Sequence, residues 1–353
     1  MGKKSEKRIS EQPDYIRENL PRWNGKTKEH YEVWYLTGNA NNHGFWIRYT
    51  LNISENGLND WAGVWCAVFK KGEKPIGICR KYPLSEFKWE VRSFRINIGE
   101  SNIFSEKKSE GKITVGNISA SWELNFEPTG YIFRHLPDFA YYLPVDTVVL
   151  SPNPNLIFSG YITLKDTQTG EIIKNLEFSD GVGYQTHIWG KKHAYKWVWG
   201  HSNFIKDENG NILEDSFFEG LTVVEKTGPL RVPPINIFTL KYKNNIYEFN
   251  GIKDIIFNSS KWKYGEDSVF WEIRSKKMNF SLKMNTKKDN FIMAIYDDPG
   301  GDKVFCHNSE VESTEISFEL NGKTIKLFCD GTFHTEFGSR TPLEYNPAKF
   351  IYE

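Results

Sequence analysis

The chain has 353 residues, with 45 Lys and Arg against 45 Asp and Glu, so its formal net charge is zero and no global field draws it towards nucleic acid or an anionic membrane. Aromatic residues make up 15% and charged residues 25%, a composition that excludes an intrinsically disordered chain and an integral membrane protein. At this length a soluble protein of two domains, or of one large all-β domain, is expected.

The first ten residues are polar and charged and lack the apolar stretch of a secretory leader, so export is not expected and a cytoplasmic location is. Residues 1–27 read as a flexible arm, within which Asp14 to Leu20 is the one short helix candidate of note. Cys66, Cys79, Cys306 and Cys329 lie far apart without a C-x-x-C pair, which suits free buried thiols rather than zinc. From Asn117 to Phe126, Ile118, Ala120, Trp122, Leu124 and Phe126 alternate with polar residues, the period of a strand with one apolar face. Met278, Phe280, Leu282 and Met284, and later Ile316, Phe318 and Leu320, repeat that pattern. Turn signals separate such runs, among them Asn56-Gly57, Asp166 to Gly170, Asn209-Gly210, Asn244-Asn245, Pro299-Gly300-Gly301 and Asn321-Gly322. Trp122-Glu123-Leu124 is echoed by Trp271-Glu272-Ile273, a weak sign of two related β units, and Asp180-Gly181-Val182-Gly183 breaks the pattern midway. Glu123 falls on the polar side of its strand and is expected in solvent.

Three of the twelve tryptophans and three of the eight histidines fall between Tyr184 and Phe204. In a strand, Trp197, Trp199, His201 and Asn203 share one face, which joins large flat apolar surfaces to hydrogen-bonding tips. That composition suits an apolar ligand with one polar or unsaturated centre, and equally a seam between two sheets. Near the end, Phe333-His334-Thr335-Glu336-Phe337 sets His334 and Glu336 on one face opposite the two phenylalanines, either as a source of an acid or as a His-Glu pair on a wet face. The spacing of His187, His193, His201 and Glu336 does not make a compact metal-ligand set, Asp297 to Asp302 reads as a solvated hairpin rather than a calcium loop, and no nucleotide-binding glycine motif is present. No cofactor and no metal is therefore expected.

Tyr184-Gln185-Thr186-His187-Ile188-Trp189-Gly190, followed by Trp197-Val198-Trp199-Gly200-His201-Ser202-Asn203-Phe204, resembles the signature of the double-domain lipocalin-like proteins. That group includes AttH-like proteins, carotenoid 1,2-hydratases, tocopherol cyclases and fungal Diels-Alderases. Phe45 to Tyr49, Ile118 to Phe126, Phe158-Ser159-Gly160 and Thr335 to Gly338 agree in order, so the likeness spans about residues 30 to 340. It implies an all-β protein of two lipocalin-like antiparallel β-barrel domains, placed here at 28–185 and 186–353, with very little helix and a pocket for an isoprenoid-like molecule. It also implies that Tyr184, Trp189, Trp197, Trp199, His201 and Asn203 line that pocket.

The usual motif carries an Asp where Thr186 stands and an Asn where Ile188 stands. A threonine hydroxyl cannot protonate an alkene. Any such chemistry is expected to fall to Glu336, with His187 as its orienting partner. Two classes remain open: an enzyme that cyclises, isomerises or hydrates a hydrophobic substrate, and a carrier of an apolar ligand. A β-sandwich that stacks sugars is a third. The expected partner is a hydrophobic small molecule and not nucleic acid, with no transmembrane segment; transient membrane contact to collect the ligand is left open.

Overall fold

The computed structural model describes residues 13–40, 42–90, 92–142, 145–227, 230–231, 233–265, 268–342 and 347–353. Strands hold 64% of the chain and helix 8%, and the strands build two large antiparallel sheets, as the period-two runs and frequent turns require.

The first sheet is built on β1 (His30–Ala40), β2 (His43–Ile53), β3 (Trp61–Lys70), β4 (Ile76–Pro83), β5 (Ile118–Glu127), β6 (Thr147–Asp166) and β7 (Ile172–Gly190). Their spatial order is β4-β3-β2-β1-β7-β6-β5, continued by short strands between Phe87 and Val115. The second is built on β8 (Lys196–Ser202), β9 (Phe217–Val224), β10 (Ile235–Tyr242), β11 (Val269–Ser275), β12 (Phe280–Thr286), β13 (Ile292–Asp297), β14 (Lys303–Leu320) and β15 (Lys323–Ser339). Their order is β10-β9-β8-β15-β14-β12-β11, with β13 also paired to β14. The chain changes sheet between Gly190 and Lys196, so the division expected at 185/186 lies inside β7. The C-terminal strand β16 (Ile351–Tyr352) returns to the first sheet and pairs with β4 in parallel.

Each sheet wraps its own core, and a third cluster fills the seam between them. β1 to β3 are consequently buried on both faces. In β1, Trp34 and Leu36 enter the first core while Tyr31, Val33 and Tyr35 enter the seam; in β2, Phe45, Ile47 and Tyr49 face inward and Trp46 faces the seam. The echoed tryptophans occupy equivalent roles: Trp122 on β5 and Trp271 on β11 are buried, and each indole N–H donates to a hydroxyl at 3.1 Å, Ser109 and Thr222 respectively. Glu123 is half exposed beside Lys108.

The helix expected near Asp14 forms as α1 (Asp14–Asn19). Residues 1–12 of the expected arm lie outside the described residues, while 13–27 pack on the first sheet: Ile16 and Trp23 are buried and Trp34 Nε1 donates to the Asn19 carbonyl at 3.0 Å. The four cysteines are free and buried, and burial pushes the Cys66 and Cys329 thiols up to about 12, so both stay protonated and inert. Among the described residues no helix is long and apolar enough to cross a membrane.

Candidate functional site

The long stretch from Tyr184 to Phe204 divides because neighbouring residues of a strand point to opposite faces. On β7, Tyr184 and Thr186 look into the seam, where Tyr35 is the register partner of Thr186. His187 and Trp189 look the other way. His187 stacks on Trp34 with centroids 5.0 Å apart; its Nδ1 lies 2.6 Å from the Glu18 carbonyl and its Nε2 2.8 Å from Glu32. Both ring nitrogens face acceptors, so only the imidazolium donates to both. Burial opposes that charge and outweighs the support of the Glu32 carboxylate, so the His187 pKa is lowered. Trp189, half buried, lies against His187 and under the Arg22 guanidinium at 4.9 Å.

The face shared by Trp197, Trp199, His201 and Asn203 on and after β8 turns to the seam, as its period requires. The β8–β15 ladder sets Trp199 opposite Glu336 and His201 opposite His334, while Phe333 and Phe337 enter the second core. Trp199 packs against Tyr184 at 5.0 Å and edge-on to Tyr35 at 5.9 Å. His201 and Asn203 serve the first sheet's irregular ladder. β6 is bulged between Leu150 and Leu156, which frees carbonyls there; His201 Nε2 reaches the Pro154 carbonyl at 2.8 Å and Asn203 Nδ2 the Gly183 carbonyl at 2.9 Å. Burial pushes His201 down to about 4, so it is neutral.

Glu336 is buried, with Trp197 Nε1 donating to it at 3.4 Å. Burial raises its carboxyl, and Arg48, Trp197, Cys306 and Trp46 only partly oppose this, so it favours the protonated form. The pair on a wet face is thus not what forms: His334 and Glu336 are both buried and bond elsewhere, His334 to Asn39. Nor does the chain bring His187 to Glu336, since His187 belongs to the first core and Glu336 to the seam.

The roles of several buried charged residues are not visible in the sequence. Arg48 on β2 lies over the Tyr296 ring at 3.7 Å. Glu310 on β14 bonds to Thr37 across the seam and is pushed well above the usual carboxylate range by burial. Asp298, expected in a solvated hairpin, is buried because His193 and Arg340 hold it from both sides, while Asp302 of the same turn stays exposed. A buried Glu219 accepts a hydrogen bond from Tyr184 at 2.7 Å and lies 2.9 Å from His135 Nε2. Among the described residues no three His, Cys, Asp or Glu side chains converge as a metal would require.

Open grooves on the described surface include one of about 740 Å³ along Gly160, Tyr161, Asn175, Glu177, Phe178 and Ser179, and one of about 440 Å³ between Ser268 and Ser313. Neither borders the aromatic stripe. At the rim of the stripe Trp197, Ile188 and Val223 are partly exposed.

Gly338, two residues past Glu336, makes room for Trp197: a Cβ there would sit 2.2 Å from the indole ring. Gly338→Ala is therefore expected to displace the indole from Glu336 at a cost of about 1–3 kcal/mol. The Trp197 indole N–H resonance, assigned with Trp197→Phe, checks this; an unmoved resonance would refute it.

The fold and the seam together define an all-β protein of two large antiparallel sheets that enclose an aromatic, acid-bearing layer. No protein-family model matches the sequence, and no curated protein matches it. Solved structures do match in shape. An AttH protein of Nitrosomonas europaea, 14% identical, covers 91% of this chain and 100% of its own with a TM-score of 0.51. Kievitone hydratase of Nectria haematococca, 9% identical, covers 92% of each chain with a TM-score of 0.53. CghA, a Diels-Alderase crystallised with Sch210972, is 10% identical over 92% of this chain and 93% of its own, with a TM-score of 0.52. The fold expected from the resemblance is the fold the chain has.

Proposed function

We propose that the protein is an enzyme that protonates a small apolar substrate bearing a carbon–carbon double bond, of isoprenoid-like character, and so directs its isomerisation, cyclisation or hydration. Glu336 is the acid. The observation that carries this reading is a buried carboxyl held towards its protonated form among aromatic rings, with Trp197 bonded to it and open at the rim. Such a group supplies at neutral pH the proton that Thr186 cannot. Indole and phenol faces beside it stabilise a developing cation. Similarity in fold to a hydratase and a Diels-Alderase supports catalysis on this scaffold. The substrate would reach this layer from the rim, where Trp197, Ile188 and Val223 are only partly buried. Residues Tyr184, Trp197 and Trp199 line the binding layer; His201 and Asn203 hold its wall, and Trp189 with His187 stands behind it.

A second reading, a carrier without chemistry, is favoured by Thr186 in the place of the family's acid. The test is incubation with squalene, lycopene and geranylgeraniol, read by chromatography and mass spectrometry for an isomer of equal mass or a gain of one water. Glu336→Gln keeps shape and hydrogen-bonding capacity, and is expected to lower turnover at least a hundredfold while binding, read by tryptophan quenching, persists. Turnover at the wild-type rate in that variant would remove Glu336 as the acid. Tight binding without conversion by the wild type would establish the carrier.

A further inference from the structure

The segment that joins the two sheets carries a second pair of titratable groups at the rim of the seam. His193 lies in it, and Asp298 comes from the turn after β13, 105 residues away. His193 Nδ1 is 2.6 Å from Asp298 Oδ1, and the backbone N–H of His193 donates to the same oxygen at 3.1 Å. The Arg340 guanidinium binds the other carboxylate oxygen and the His193 carbonyl. Burial alone would raise the Asp298 carboxyl, but His193 and Arg340 outweigh it and hold it below the usual range, so it is ionised. An ionised Asp298 can only accept, which puts the imidazole proton on Nδ1 and the lone pair on Nε2.

Nε2 has no hydrogen-bond partner among the described residues, and the imidazole is 10% exposed. By contrast His187, His201 and His334 have both ring nitrogens engaged. The His193 ring is stacked between Tyr31 at 4.2 Å, Tyr296 at 5.5 Å and Trp197 at 5.9 Å. Trp197 bonds to Glu336, so the same indole borders both the acid and this imidazole.

We propose that His193, oriented by Asp298, is the general base that complements Glu336 across the Trp197 indole, an inference that rests on the function proposed above. Glu336 gives its O–H proton to one alkene carbon, which leaves a cation on the other. His193 Nε2 then takes a proton from the adjacent carbon, whose C–H electrons become the shifted double bond, or from water as its oxygen bonds to the cation. The proton passes from imidazolium through solvent to the Glu336 carboxylate. The net change is an isomerisation or the addition of one water, and no oxidant or reductant is needed.

Two arms test this. Diethyl pyrocarbonate, applied to the folded protein at neutral pH and mapped by peptide mass spectrometry, is expected to modify His193 at least tenfold faster than His187, His201 and His334; an unmodified His193 would overturn the proposal. With a polyene that the wild type converts, His193→Gln is expected to lower kcat about a hundredfold and Asp298→Asn about tenfold, with tryptophan quenching by the polyene retained. Full turnover by His193→Gln beside an inactive Glu336→Gln would overturn the base and leave the acid standing. A wild type that converts no polyene would overturn both.

Discussion

Replacement of Glu32 by alanine is expected to destabilise the protein by about 3–5 kcal/mol, the usual cost of removing one partner from a buried charged network. Glu32 is fully buried and collects four donors. The Arg22 and Trp23 backbone N–H groups reach it at 2.6 and 3.0 Å, His187 Nε2 at 2.8 Å and His30 Nε2 at 3.1 Å. Alanine strands all four at once, in a place where water cannot replace the carboxylate. It also loosens the segment around Arg22 and Trp23, whose backbone N–H groups Glu32 holds to the first sheet. Thermal unfolding followed by circular dichroism checks the prediction, with a fall in Tm of roughly 10 °C expected. A fall of only a degree or two would show that the network contributes little.

The same residue gives stability a defined acid limb. Burial pushes the Glu32 carboxyl up, but the hydrogen bonds and charges of His187 and His30 outweigh it and hold it at about 2, against 4.5 when unpaired. A carboxyl whose pKa is depressed by folding stabilises the native state in full above its unfolded value. That stability, about 3 kcal/mol, is lost as pH falls from about 4.5 towards 2. Other carboxyls titrate in the same window, so the quantity to compare is the difference between the stability curves of wild type and Glu32→Gln.

Why some of this was legible and some was not follows from where each side chain finds its partner. The runs on β5 and β12 have one wet and one dry face, and alternation revealed them directly. β1, β2 and β3 are buried on both faces by the first core and the seam, so they show no alternation to read. β6 carries Pro152 and Pro154, residues that ordinarily end a central strand; the ladder tolerates them because it is bulged between Leu150 and Leu156. The stripe from Trp197 to Asn203 was legible as a face. Its role was not, since the carbonyls that occupy His201 and Asn203 belong to β6 and β7. Glu310 was passed over, and Asp298 was read as solvated, for the same reason: Thr37 lies 273 residues from Glu310, and His193 lies 105 from Asp298. A carboxylate in a Pro-Gly-Gly turn looks solvated until its partners arrive from another sheet.

Gly160→Ala is expected to cost about 3–5 kcal/mol, although the change adds one methyl group. Gly160 sits in β6 at φ +133°, a backbone conformation closed to residues with a Cβ, and strain of this kind alone costs about 1–3 kcal/mol. A Cβ at this position would also lie 1.9 Å from the Glu123 carbonyl oxygen, well inside contact distance. Backbone cannot swing aside as a side chain can, so β5 and β6 must separate where Gly160 pairs with Leu124. Separation there disturbs Phe158, two residues away, which packs edge-on against Phe45 at 5.3 Å and Phe126 at 5.6 Å in the first core. The glycine lies where the β6–β7 ladder shifts register between Phe158 and Gly160, and its conformation is what permits the shift. Urea denaturation of Gly160→Ala beside Ser159→Ala isolates the effect, because Ser159 is exposed and its truncation is expected to stay within about 0.5 kcal/mol of wild type. Equal midpoints for the two variants would mean that the first sheet accommodates a side chain at this bulge, and that the strain described here is not what fixes the register of its longest strands.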